Sequence, residues 1–135
     1  MKNQQALEWY VFANRDIQSA RTLEKHSHPK PLEIICYLCE QSVEEMLKGF
    51  LVSNNKIPPK THDLPLLCDM CISFDESFKQ LYDTCEFLTL YGVQPRYPNE
   101  LDITLGDAVK ALNSADLVFD FYKNNNLWEV DKCTL

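Results

Sequence analysis

An all-α fold, an antiparallel up-and-down bundle of about five helices, is what this sequence predicts, and three observations carry it. Apolar residues recur three or four positions apart along five separate stretches. No stretch alternates apolar and polar residues as a half-buried strand would. Only three glycines occur in 135 residues, too few for a turn-rich β fold or for Gly-rich phosphate loops. The length suits one domain with a core large enough to need no metal or disulfide staple.

The first helix is expected from about Ala6 to Lys25, with Ala6, Trp9, Ala13, Ile17, Ala20 and Leu23 on its apolar stripe and Pro29 and Pro31 breaking the chain after it. The second is expected from about Leu32 to Ser53. Its stripe is Cys36, Cys39, Val43, Met46 and Phe50, and Asn54-Asn55 followed by Pro58-Pro59 ends it. Thr61 is expected to cap a short third helix, with Asp63 and His62 in its first turn and Leu64, Leu67, Cys68 and Cys71 inward. A fourth begins near Asp75, carries Phe78, Leu81, Cys85 and Leu88, and reaches Gly92 as a C-terminal cap. Thr104-Leu105-Gly106-Asp107 opens the last helix with a capping-box pattern in which Asp stands for the usual Glu, and Asn124-Asn125-Asn126 closes it. The bundle is expected over 1–126, with a loosely held tail over 127–135.

Thirteen basic against twenty acidic side chains leave a net charge of −7, which excludes the broad basic surface of a generic nucleic-acid binder. The charge is uneven. Residues 1–30 hold five basic and three acidic groups (+2), and residues 61–103 hold two and eight (−6). That asymmetry fits either a solvated face or association through unlike surfaces. No apolar run approaches the roughly 20 residues of a membrane span. Met1-Lys2-Asn3-Gln4-Gln5 leads into mixed polar and aromatic sequence without a signal-peptide core, so a cytoplasmic, non-membrane protein with reduced thiols is expected. Cys36-x-x-Cys39 and Cys68-x-x-Cys71 have zinc-site spelling, but both pairs lie on helical apolar stripes. Core packing is the preferred reading, with no metal and no cofactor.

The stretch Cys39-Glu40-Gln41-Ser42-Val43-Glu44-Glu45-Met46-Leu47-Lys48-Gly49-Phe50-Leu51 resembles the second helix of the HEPN family (higher eukaryotes and prokaryotes nucleotide-binding domain). That family often shows a Gln, a Glu three residues on and a Lys four beyond it, here Gln41, Glu44 and Lys48. Pro59-Lys60-Thr61-His62-Asp63-Leu64 is similar to its Thr-His-Asp-Leu signature, and Arg96-Tyr97-Pro98 to its Arg-Tyr-Pro turn; Trp9 and Arg15-Asp16 fit its first helix. The resemblance covers about residues 6–125 and implies an antiparallel bundle, frequently a homodimer. It also implies a frequent pairing with a separate minimal nucleotidyltransferase chain, of the toxin–antitoxin kind. Many members are ribonucleases with an Arg followed four to six residues later by a His near a late helix. Here no His follows Arg96, since the histidines are His26, His28 and His62. The resemblance therefore implies a binding or interaction module, with a nucleotide or RNA as ligand. A metal-independent ribonuclease with a degenerate motif around Arg96 is the alternative. Arg21…His26 spells the same motif, but on the first helix, where residues five apart point in different directions.

Four residues are the candidate ligand contacts, and no catalytic residue is assigned. Arg96 and Tyr97 sit between Pro95 and Pro98, which stiffen the segment and suit it to present a guanidinium and a ring to a phosphate and a base. A structural turn with Arg96 paired to Glu86 or Asp102 is the equal alternative. Lys48 either reaches a phosphate or forms a modest surface pair with Glu44, and the pair is preferred. His62 either titrates in a pocket or is a structural first-turn residue bonding a neighbouring carbonyl across the bundle, and the structural reading is preferred because no base or metal partner is visible.

Overall fold

Helix α2, Leu32–Ser53, is the axle of the molecule, and fourteen of its 22 residues are buried. The computed structural model describes residues 4–92 and 102–127. The most extensive packing is between α2 and α1 (Gln4–His26), followed by α2 against α5 (Leu105–Asn124). Between them come α3 (Leu64–Ile72), a 3-10 segment (Glu76–Leu81), α4 (Tyr82–Leu88) and a second 3-10 turn (Thr89–Tyr91). The described residues contain no strand, so the bundle expected from the periodicity is the one found.

The inward face of α1 is Ala6, Tyr10, Ala13, Ile17 and Ala20. Three alanines let α1 approach α2 closely, and Gly49 completes the contact. A Cβ at Gly49 would stand 2.4 Å from the Tyr10 ring. Trp9, placed on the stripe by spacing alone, is half-buried at its edge. An aromatic cluster fills the centre: Phe78 meets Phe50, Phe121 and Tyr122 at centroid distances of 4.4, 5.1 and 5.7 Å. The Tyr122 hydroxyl donates to the Met46 carbonyl at 2.7 Å, so the largest fully buried side chain leaves no polar group unsatisfied.

The helix ends follow from side-chain chemistry, with two departures from the sequence reading. Asp63, not Thr61, caps α3: its carboxylate accepts from Leu66 N at 3.1 Å, while Thr61 Oγ1 accepts from Asp63 N. A carboxylate satisfies the positive helix end better than a hydroxyl does. His62 consequently lies ahead of the helix rather than in its first turn. The single helix expected after Asp75 is interrupted, its first six residues wound as 3-10. The stripe survives because Phe78 and Leu81, three apart, face inward in either winding. Gly92 is the C-cap of the 3-10 turn that ends this segment, its N–H donating to the Thr89 carbonyl, and it does so at φ −66, an ordinary right-handed value rather than a left-handed one. Asn55 (φ 61) and Asn126 (φ 55) take that conformation after α2 and α5. Thr104 and Asp107 form the expected reciprocal capping box of α5.

Cys36, Cys39, Cys68, Cys71 and Cys85 are all fully buried. Burial pushes the Cys36 and Cys39 thiols up to about 12, which keeps them protonated and unreactive. Arg21 pairs with Asp116 and ties α1 to α5, so the arginine of the Arg21…His26 spelling has a structural role. No helix among the described residues is long and apolar enough to cross a membrane.

Candidate functional site

One polar face interrupts the apolar surface of α2. Glu40, Glu44 and Lys48 follow one another at four-residue spacing, so they stack along a single side of the helix. All three are buried, and Glu40 is completely so. The Glu44–Lys48 pair is therefore not the modest surface pair that spacing alone suggested. Lys48 Nζ donates to Glu44 Oε2 at 2.9 Å with both side chains less than a tenth exposed. Separation of such a pair leaves an uncompensated buried charge, which makes it far more consequential than a surface pair of the same spacing.

Glu44 has a second partner. His62 Nδ1 lies 2.8 Å from Glu44 Oε1. The partner expected for a structural His62 was a carbonyl, and the partner found is a carboxylate: the loop ahead of α3 lays its ring over the middle of α2. The Thr89 hydroxyl holds this loop by donating to the His62 carbonyl at 3.1 Å. His62 keeps 57% of its side chain exposed, so one edge of the ring is fixed by Glu44 and the other faces solvent. Two of the four sequence candidates, Lys48 and His62, are brought together by a residue the sequence reading left off the site.

Two further carboxyls flank Glu44. Burial, with the Glu44 carboxyl beside it, pushes Glu40 up to about 9. Gln41 Nε2 donates to its Oε1 at 2.9 Å. Gly92 packs against the other oxygen: a Cβ there would stand 3.0 Å from Glu40 Oε2 and 3.3 Å from the His62 Cβ. That close approach, not a backbone conformation, is why glycine fits at 92. Glu45, half-buried against Asp16 of α1, is pushed up to about 10, first by burial and then by its hydrogen bond to Asp16 and the charges of Asp16, Glu44 and Glu40. Both flanking groups hold their protons at neutral pH, which leaves Glu44 to balance Lys48.

Lys48 also opens onto a groove of about 470 Å³ at the end of α1 and α2. Trp9 forms one wall, with Lys48 Nζ 5.7 Å from its ring centroid. Ile57, Pro58 and Pro59 form the other, and Lys56 and Lys60 stand exposed at the rim. Among the described residues no carboxylate lines this groove. On a chain of net charge −7, three lysines converge here on an aromatic wall. The sequence reading missed Lys56 and Lys60 because neither lies on a helical stripe or at a signature position; the left-handed turn at Asn55, closed by Lys56 N donating to the Leu51 carbonyl at 2.9 Å, and the segment after it bring them to the same groove as Trp9. Arg96 and Tyr97, the remaining candidates, lie outside the described residues.

The HEPN domain model matches residues 6–125. No curated protein matches the chain. Among solved structures, TT1696 from Thermus thermophilus superposes with a TM-score of 0.75 at 19% identity, covering 90% of this chain and 98% of that one. ST0689, an archaeal HEPN homologue, superposes with a TM-score of 0.66 at 22% identity, covering 93% and 98%. Identities this low speak for the shared fold.

Proposed function

The chain belongs to the HEPN domain family, and from that premise we propose that it is a binding module for nucleoside phosphates, with the Trp9 groove as its site. The observation that carries this reading is the convergence of Lys48, Lys56 and Lys60 on an aromatic-walled groove free of carboxylates among the described residues. Ammonium groups take phosphate oxygens as compact point charges, and an indole beside them offers a flat apolar surface to a base. The volume lies within the range of small-ligand sites. RNA cleavage is the less supported reading, because no histidine follows Arg96 in the sequence. The partnership with a separate nucleotidyltransferase chain, expected from the resemblance, belongs to the same proposal: a module that holds a nucleotide suits a chain that transfers one. Self-association is a second reading. Leu105 and Val109, one turn apart on α5, are 50% and 44% exposed and give a second copy an apolar contact.

The test is titration of ATP and ADP against the protein by calorimetry and by the fluorescence of Trp9 in a Trp128→Phe background. Lys56→Glu combined with Lys60→Glu reverses two exposed charges without touching the core. It should weaken binding at least about tenfold, with unchanged circular dichroism. Arg96→Ala should weaken it by about 1.5–3 kcal/mol if Arg96 also contacts phosphate. No binding at millimolar nucleotide, or binding indifferent to the double reversal, refutes the proposal. Light scattering across a concentration series tests the dimer, and a constant monomer mass rejects it.

A further inference from the structure

We infer that Glu44 couples the groove to His62, so that capture of an anion by Lys48 and capture of a proton by His62 assist each other. The inference deepens the nucleotide reading and rests on it for its ligand, although the coupling itself can be measured without one.

The geometry is that of one carboxylate shared between two bases. Glu44 Oε2 accepts from Lys48 at 2.9 Å, and Glu44 Oε1 meets His62 Nδ1 at 2.8 Å. Lys48 faces the groove beside Trp9, and His62 keeps more than half of its side chain in solvent. With His62 neutral, the Glu44 charge is directed at Lys48 and holds the ammonium back from the groove. With His62 protonated, the same charge is divided between two cations, and Lys48 turns more readily to a phosphate. The converse must hold to the same factor, because coupling between two binding equilibria is reciprocal. An anion that engages Lys48 leaves Glu44 less neutralised and so draws a proton onto His62.

The other groups around this pair do not short-circuit the coupling. From α2, Glu40, Glu45 and Tyr37 face Glu44, and from α1 Asp16 faces Glu45. Glu40 and Glu45 are held neutral by burial and by their neighbours, and Tyr37 is shifted upward by burial. On the loop, His62 has Asp63 as its neighbour on one side and Lys60 two residues away on the other, both exposed to solvent screening. The 3-10 turn after α4 contributes the Thr89 hydroxyl and Gly92, neither of which carries charge. Glu44 is thus the route by which the charge state of His62 reaches Lys48.

The ligand-free experiment is a proton NMR titration of the His62 ring in the full chain. Lys48→Met removes the competing cation, and the His62 midpoint should rise by at least about 0.5 pH unit, less than the roughly 1–3 units of a charge in direct contact because Lys48 acts across Glu44. Glu44→Gln should lower it, and Lys48→Arg should restore the wild-type value. Dispersed amide spectra identify which variants remain folded, and the Glu44→Gln arm decides the matter if Lys48→Met does not fold. The second experiment titrates inorganic triphosphate at pH 6 and pH 8, with His62→Gln as reference. The wild type should gain at least threefold in affinity at pH 6 relative to that variant. A His62 midpoint indifferent to both Lys48 and Glu44 overturns the coupling even if triphosphate binds. Triphosphate that fails to bind, with the midpoints shifted as stated, overturns the groove as an anion site and leaves the coupling standing.

Discussion

Replacement of Glu40 by Gln should stabilise the protein, and the gain should depend on pH in a defined direction. Glu40 is fully buried, and its carboxyl is pushed from the usual 4.5 to about 9 by burial and by Glu44. In the unfolded chain the same group loses its proton near 4.5. A group whose folded-state value is raised contributes stability below its unfolded value and loses it as pH rises toward the folded one. The Glu40 contribution to stability should therefore fall from about pH 4.5 to about pH 9. At about 1.36 kcal/mol per unit, keeping the Glu40 proton at pH 7 costs the fold about 3 kcal/mol. The Glu40→Gln side chain has the same shape, keeps its Gln41 neighbour and has no proton to hold. The expected gain is about 1–3 kcal/mol at pH 7, the lower part allowing for imperfect hydrogen bonding of the new amide. The assay is urea unfolding of both proteins followed by circular dichroism between pH 4.5 and 9. The difference should be small or absent at the acid end and grow steadily toward the alkaline end. A variant less stable at every pH, or a difference that does not change with pH, would refute the assignment of a neutral buried Glu40.

Two further substitutions test the packing. Gly49→Ala places a Cβ 2.4 Å from the Tyr10 ring, so α1 and α2 must separate or the ring must turn; a loss of about 1–3 kcal/mol in thermal or urea unfolding is expected, and a neutral result would show that the helices are less closely packed. Thr104→Ala removes one half of the α5 capping box and should cost about 1 kcal/mol, while Thr104→Ser should cost less.

How much of this was legible in the sequence differs from element to element. The α2 boundaries and the α5 capping box could be read directly, because proline, asparagine and the Thr-x-x-Asp spacing act within a turn of where they stand. The cap of α3 was harder, since Thr61 and Asp63 are both good caps and only backbone geometry chooses between them. The 3-10 winding before α4 left no trace in a stripe whose residues fall three and four apart. At the site, Gln41, Glu44 and Lys48 were visible as a motif, but a Glu and a Lys four apart look the same whether exposed or buried. What buries this pair is Trp9, from α1, and His62, eighteen residues beyond Glu44. The groove joins residues distant in the chain, from Trp9 to Lys60, and no local pattern announces such an encounter.

The five buried thiols turn the molecule into its own gauge of opening. Cys36 and Cys39 lie on α2, Cys68 and Cys71 on α3, and Cys85 on α4, each at zero exposure. A maleimide cannot reach any of them while the native packing holds, so each becomes labelled only during the moments when its own helix is released. Labelling rates measured site by site, over a range of denaturant, would separate local loosening from global unfolding. If α3 and α4 detach as a unit, Cys68, Cys71 and Cys85 will react together and ahead of the α2 pair. If the bundle opens only as a whole, all five will share one rate.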